Sequence, residues 1–303
     1  MVVANSIIEL IGNTPMVKLN KLVGSDDATL YAKLEWYNIG GSIKDRMAKY
    51  LIEYAEAAGK LDKARIILEA TSGNTGIALA MIAASKGHRI ALVMPESVSI
   101  ERRKIIKAYG AELILSPAAQ GTGGAVELKM KMLQENPNKY IDLDQFKDPA
   151  NILAHYQTTG KEILDQTCGK VDVIVVGVGT AGTGVGVNMR VKQYNKSIKV
   201  VGVLPKLGVS IQGLRNPGEL NPTQLFRKES FDEIIEISKE EIPTILEAAR
   251  RVTKEEGLFV GMSSGAVMHV ALQKAKEIGK GKVVVAVLPD NGDKYLSTPL
   301  FDL

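Results

Sequence analysis

The strongest constraint on this chain is a repeated unit: a short, almost wholly apolar run, a turn bearing Gly or Pro, then a helical pattern. RIILEATSGNTG (65–76), HRIALVMPESVS (88–99), VDVIVVGVGTAGTG (171–184), KVVGVLPK (199–206) and KVVVAVLPDNG (282–292) all begin this way, and AELILS (111–116) adds a strand. Helical periodicity fills the intervals at 45–59, 74–86, 98–109, 121–136, 152–167, 183–195, 240–256 and 264–278. Strands apolar on both faces belong in parallel sheets covered by helices on both sides. The alternation predicts an α/β fold of open, doubly wound, mostly parallel sheets, with ligands bound in the loops that follow the strands. Two Gly-rich strand–loop–helix units, 65–85 and 171–195, predict one ligand loop in each of two domains.

Composition removes several classes of function. At 303 residues and 45% hydrophobic, the chain buries a large core, and no apolar run is long enough to span a bilayer. The N-terminus MVVANSIIELIGNTP lacks a basic region, so no secretory signal is expected. A single cysteine, Cys168, rules out an intramolecular disulfide and fits a reducing cytoplasm. A net charge of +4, 5% aromatics and no basic run give nucleic-acid binding no support. His88, His155 and His269 have no metal-site spacing, so no metal is expected and each reads as structural or solvated. Met81, Met94 and Met189 read as core, and Tyr109 as packing.

Three Gly-rich turns and one lysine carry the chemistry. Gly177, Gly179 and Gly182 spell G-x-G-x-x-G after a strand, yet the next strand ends Val203-Leu204-Pro205-Lys206 without the acid that would hold a ribose. What survives is a phosphate cradle of backbone N–H groups at a helix start. GMSSG (261–265) matches a hydrolase nucleophile elbow, but His269 follows Ser263 too closely and precedes Asp290 and Asp293, the wrong order for a triad. Ser263 then reads as a hydroxyl for a ring nitrogen or as a plain helix cap. TSGNTG (71–76) offers donors suited to a carboxylate, or is simply a polar turn capped by Asn74 or Thr75. Ser42 and Asp45 read as a capping box, placing Lys44 in a first helical turn where the dipole disfavours a cation. Such a lysine is either an ordinary surface residue or a functional amine.

IGNTPMVKL, GSIKDR, EATSGNTGIALA, GTAGT, GMSSGA and PDNGDKYLST occur in that order and cover nearly the whole chain. Together they resemble the pyridoxal-phosphate (PLP) enzymes of the cysteine synthase and cystathionine β-synthase family, fold type II and tryptophan synthase β-like. ERRKIIKAYGAELIL (101–115) and GVSIQGLRN (208–216) are similar to the cysteine synthase B branch, O-acetylserine sulfhydrylase B. The resemblance implies two open twisted sheets, a smaller mobile substrate-clasping domain over 46–150, and a larger PLP-phosphate-binding domain of 1–45 plus 151–303. It implies that Lys44 forms the aldimine with PLP and then moves the Cα proton. Asn74 would meet the 3′ oxygen, Gly179, Thr180, Ala181, Gly182 and Thr183 the phosphate, and Ser263 the pyridine nitrogen. Thr71, Ser72, Gly73 and Thr75, with Gln145, would clasp the substrate carboxylate. A serine at the ring nitrogen suits β-elimination better than transamination.

The implied reaction makes L-cysteine from O-acetylserine or O-phosphoserine and sulfide or a related donor, through an aminoacrylate, in a cytoplasmic homodimer. The alternatives are another β-replacement or β-elimination on the same scaffold (cysteine to serine plus hydrogen sulfide, cystathionine or diaminopropionate synthesis) and a non-catalytic binding module. Three departures from the family stand out. Ile39-Gly40 replaces the usual proline and is expected to free the loop before Lys44. Ala181 replaces a glycine and is expected to reshape the cradle. Lys206 and Arg215 in a short 206–216 segment are expected to favour an anionic substrate.

Overall fold

A computed structural model describes residues 3–71, 73–215 and 223–302. In chain order the elements are β1 (Met16–Lys18), β2 (Thr29–Leu34), α1 (Lys44–Ala57), β3 (Ile66–Ala70), α2 (Asn74–Lys86), β4 (Arg89–Pro95), α3 (Ile100–Ala108), β5 (Glu112–Ser116), α4 (Gly121–Glu135) and β6 (Tyr140–Ile141). They continue with α5 (Ala150–Gln157), α6 (Thr159–Gln166), β7 (Val173–Gly177), α7 (Gly182–Tyr194), β8 (Lys199–Pro205), β9 (Glu233–Ile237), α8 (Ile242–Glu256), α9 (Met262–Ile278) and β10 (Val283–Leu288).

The strands form two sheets. One has six strands in the order β1-β2-β10-β7-β8-β9, parallel except where β1 runs antiparallel to β2. The other is all parallel, β5-β4-β3-β6. Alternation along β7 shows why the six-stranded sheet needs helices on both faces. Val175 joins Val201, Val203 and Ala286 against α9, while Ile174 and Val176 join Val200 and Val287 against α7. Each fully buried branched side chain contributes roughly 1.5–3 kcal/mol. In the smaller sheet Ile67 faces α1 and α2, and Leu68 faces α4.

The structure differs from the sequence reading in several places. The helix expected over 152–167 is two helices, α5 and α6, divided at Thr158. There the Thr158 hydroxyl donates to Ala154 O at 2.6 Å, competing with the helical ladder. Met189, expected in the core, is exposed because it sits on the outer face of α7, and Tyr109 at the end of α3 is also exposed. Met81 and Met94 are buried. Among the described residues no helix is long and apolar enough to cross a membrane, and no group of three potential metal ligands occurs.

Candidate active site

The carboxyl ends of β3, β4, β7 and β10 open onto one cavity of about 630 Å³. Lys44 borders it. Its position comes from a short pairing of the preceding residues with the end of β10: Ile43 N donates to Pro289 O at 2.9 Å, and Ser42 bridges Asp290. The capping box expected at Ser42 and Asp45 does not form. Ile43 is the N-cap, the Ser42 hydroxyl accepts from Lys44 N at 3.2 Å, and the Asp45 carboxylate reaches back to Gly40 N at 2.6 Å. Burial lowers the pKa of the Lys44 amine, against the opposing pull of Asp290. Burial, more than the helix dipole, thus favours the uncharged amine.

The loop before Lys44 is pinned, contrary to the freedom expected from the missing proline. Asn38 Oδ1 accepts from Gly12 N at 2.8 Å, and Asn38 Nδ2 donates to Glu35 O at 2.8 Å. Gly40 is required because a Cβ there would lie 2.7 Å from Asp45 Oδ1. Side-chain bonds replace the rigidity that a proline ring would give.

The TSGNTG turn brings Thr71, Gly73, Asn74 and Thr75 to the cavity; Ser72 lies outside the described residues. Neither Asn74 nor Thr75 caps α2, whose N-cap is Gly73. The Thr75 hydroxyl donates to Gln145 Oε1 at 2.8 Å, and Gln145 lines the same cavity. Asn74 Nδ2 donates to Asp290 Oδ2 at 2.7 Å, as does the Tyr295 hydroxyl, also at 2.7 Å. Burial and Asp290 push the Tyr295 phenol well above its ordinary range, so it remains a donor.

The turn after β7 contributes Gly179, Thr180, Ala181 and Thr183 to the cavity wall. Ala181 has a left-handed backbone, φ 74° and ψ −11°, the conformation that favours glycine. It holds the conformation at a strain of about 1–2 kcal/mol. Gly182 starts α7 without bordering the cavity; a Cβ there would stand 2.0 Å from Asn151 Oδ1. Ser263 is buried at the cavity wall, and neither it nor Ser264 caps α9, whose N-cap is Gly261. Ser264 instead donates to Asp290 O at 3.2 Å. Arg215 borders the cavity with its guanidinium 5.0 Å from the Phe226 ring centroid, whereas Lys206 is exposed and away from it.

A model of the pyridoxal-phosphate dependent enzyme family matches residues 7–290. The chain belongs to this family. A cysteine synthase of Staphylococcus aureus is 45% identical over 309 aligned positions, spanning 98% of this chain and 97% of that protein. The crystal structure of a cysteine synthase from Entamoeba histolytica superposes with a TM-score of 0.93 at 38% identity, covering 100% of this chain and 92% of that one. A hydrogen sulfide-producing enzyme from Fusobacterium nucleatum superposes with a TM-score of 0.90, also at 38% identity, covering 97% and 100%.

The residues present fit the family's cofactor. A buried amine of lowered pKa suits an aldehyde, and the Gly- and Thr-rich start of α7 suits a phosphate. Asn74 lines the cavity with its Oδ1 buried and without a hydrogen-bond partner, and its Nδ2 is held by Asp290. Sequence reasoning did not single out Tyr295, Lys294 and Arg102, which line the cavity, or Asp290, which accepts from Asn74 and Tyr295. The guanidinium of Arg102 lies 5.2 Å from the Tyr295 ring centroid, and Lys294 Nζ donates to Gly41 O at 3.0 Å. The quoted segment PDNGDKYLST held the signal for three of the four.

Proposed function

We propose that this protein is a cysteine synthase, replacing the leaving group of O-acetylserine or O-phosphoserine with sulfide or a related sulfur donor. The observation that carries the reading is Lys44: an amine of lowered pKa lining one cavity with the start of α7 and with Thr71, Gly73, Asn74 and Thr75. Pyridoxal phosphate, when bound, supplies an aldehyde and an electron-withdrawing ring that make the Cα–H of an amino acid acidic. Lys44 holds the cofactor and moves the Cα proton. Gly179, Thr180, Ala181, Gly182 and Thr183 hold the phosphate through backbone N–H and hydroxyl groups. Asn74 meets the ring oxygen and Ser263 the ring nitrogen. A serine there does not enforce a ring cation, which suits elimination, in which the leaving group takes the electrons. Thr71, Ser72, Gly73, Thr75 and Gln145 clasp the carboxylate, with the Thr75–Gln145 bond fixing the amide orientation. Arg215 supplies a cation for an anionic leaving group.

Residues 46–150 act as the smaller mobile domain, closing over the carboxylate and excluding water. The larger domain, 1–45 plus 151–303, holds the phosphate. The enzyme works in the cytoplasm as a homodimer; exposed Leu10, Val17, Tyr37 and Ile39 in the N-terminal part are consistent with a partner there. A second reading, release of hydrogen sulfide from cysteine, has the support of the equal identity to the Fusobacterium structure.

Visible absorption of the purified protein and of Lys44→Ala tests the core of this reading. A visible cofactor band is expected in the first and lost in the second; a wild-type protein without one would overturn it. O-acetylserine, O-phosphoserine and cysteine, supplied separately, then rank the substrates. Hydrogen sulfide from cysteine alone, with no cysteine made from either activated serine, would establish the second reading instead.

A further inference from the structure

The turn that follows β7 and the turn that follows β3 come from different sheets, yet both must meet one ligand. One link between them runs through a buried side chain, Asn151. Asn151, in the first turn of α5, is buried to 1%. Its Nδ2 donates to Gln145 O at 2.8 Å and to Thr180 Oγ1 at 2.9 Å. An amide nitrogen has two protons, so this pair of bonds uses one on each side of the cavity. Beyond Gln145 the chain of bonds continues to the Thr75 hydroxyl at 2.8 Å.

Neighbouring groups make the geometry specific. Gly182 lacks the Cβ that would strike Asn151, so the amide approaches the start of α7 closely. Thr223 spans the same gap, its Oγ1 lying 2.6 Å from Thr180 O and 3.1 Å from Phe146 O. One helical turn on from Asn151, His155 is buried with Nε2 3.2 Å from Thr183 Oγ1 and Nδ1 2.9 Å from Thr159 Oγ1. One face of α5 therefore contacts both threonines of the turn.

We infer that Asn151 is a positioning residue that couples the two halves of the site, so that occupation of the phosphate cradle sets Gln145 for the substrate carboxylate. The inference rests on the PLP reading of the cavity. A group bound at the cradle orders Thr180, which fixes the Asn151 amide and, through its other proton, the Gln145 backbone. Coupling of this kind is reciprocal, so a carboxylate held by Thr75 and Gln145, on a molecule with no amine to displace Lys44, must strengthen retention of the cofactor. Asparagine is needed because both partners of Nδ2 are acceptors. Aspartate of the same shape would set a carboxylate oxygen against the Gln145 carbonyl.

The test measures the rate of PLP release from holoenzyme with and without saturating 3-hydroxypropionate, which has the carboxylate and hydroxyl of L-serine but no amine to displace Lys44 from the cofactor. Wild type is expected to slow its release by about five-fold or more on adding 3-hydroxypropionate, a coupling of ordinary size. Asn151→Asp and Asn151→Ser are expected to bring that ratio below about two. Thr180→Val removes the other end of the bond and serves where an Asn151 variant folds poorly. It is expected to lose the coupling equally, with no further loss in the double variant. A variant ratio equal to the wild-type ratio, or a wild type indifferent to 3-hydroxypropionate, overturns the inference. A wild type that binds no PLP overturns the functional reading on which it rests, so the two failures are distinct.

Discussion

Replacing Glu162 by glutamine tests how the lysine-bearing helix is held. Glu162 on α6 accepts from Lys33 Nζ at 2.6 Å and from Arg46 Nη1 and Nη2 at 2.6 and 2.8 Å. Arg46 also pairs with Glu35, its Nε lying 2.7 Å from Oε2, so two cations and two carboxylates balance in a buried network two residues from Lys44. Although burial opposes it, these partners hold the Glu162 carboxyl down at about 2, against an ordinary 4.5. That gap corresponds to roughly 3 kcal/mol, close to the 3–5 kcal/mol typical of removing one partner of a buried ion pair.

Glu162→Gln keeps the shape and leaves one positive charge uncompensated. The expected loss is therefore about 3 kcal/mol at pH 7, limited by the ability of Lys33, its pKa already lowered by burial, to shed its proton. A carboxyl depressed in the folded state stabilises above its unfolded pKa, and that contribution fades as pH falls through the folded value. The difference between wild type and variant must then shrink below pH 4.5, to about half by pH 3. Urea unfolding of cofactor-free protein, followed by far-UV circular dichroism at several pH values, measures both. A difference under about 1 kcal/mol at pH 7, or one that does not change with pH, would refute the reasoning.

Asp45 should behave in the opposite sense. Burial first, against the Gly40 N–H, raises its carboxyl to about 7, so stability falls as pH rises from about 4 to about 7. Asp45→Asn is expected to gain roughly 1–3 kcal/mol at pH 8 and little near pH 4, read from thermal midpoints. At Ala181, glycine relieves strain but adds unfolded-state entropy and loses a buried methyl, so Ala181→Gly should lie within about 1 kcal/mol of wild type. Ala181→Val puts a branched side chain at φ 74° and should lose about 2 kcal/mol or more and weaken PLP binding, measured by urea unfolding and cofactor titration. Gly186→Ala would place a Cβ 2.3 Å from Ile152 O where α7 crosses α5; a loss of about 3 kcal/mol is expected in the same unfolding assay.

The sheet centres were legible because β3, β4, β7, β8 and β10 are apolar runs buried on both faces. The strands that escaped notice have physical reasons for doing so. β2 carries Lys33, whose burial makes sense only through Glu162 far along the chain. β9, Glu233–Ile237, is an edge strand with exposed Glu233 and Glu236, and β1 and β6 are too short to show a period. In the site, Gly-rich turns announced themselves by composition, and every described candidate borders the cavity except Gly182 and Lys206. Asp290 and Asn151 did not stand out, because a buried polar residue declares its role only through partners brought by the fold. His155 read as structural; burial holds its imidazole pKa well below the ordinary value, and it touches the cradle through Thr183.

One consequence of the layout concerns what the cavity prefers before any side chain is chosen. The amino ends of α1, α2, α3, α7 and α9 all border it, through Lys44, Asn74, Ser99, Ala181 and Ser263. Each brings a partial positive charge of about half an elementary charge, set by main-chain hydrogen bonds. Arg102, Arg215 and Lys294 can be exchanged by mutation; the peptide dipoles cannot be titrated or substituted away. The attraction for anions is thus a fixed background written into the topology, and discrimination among anions is left to the few side chains placed on top of it.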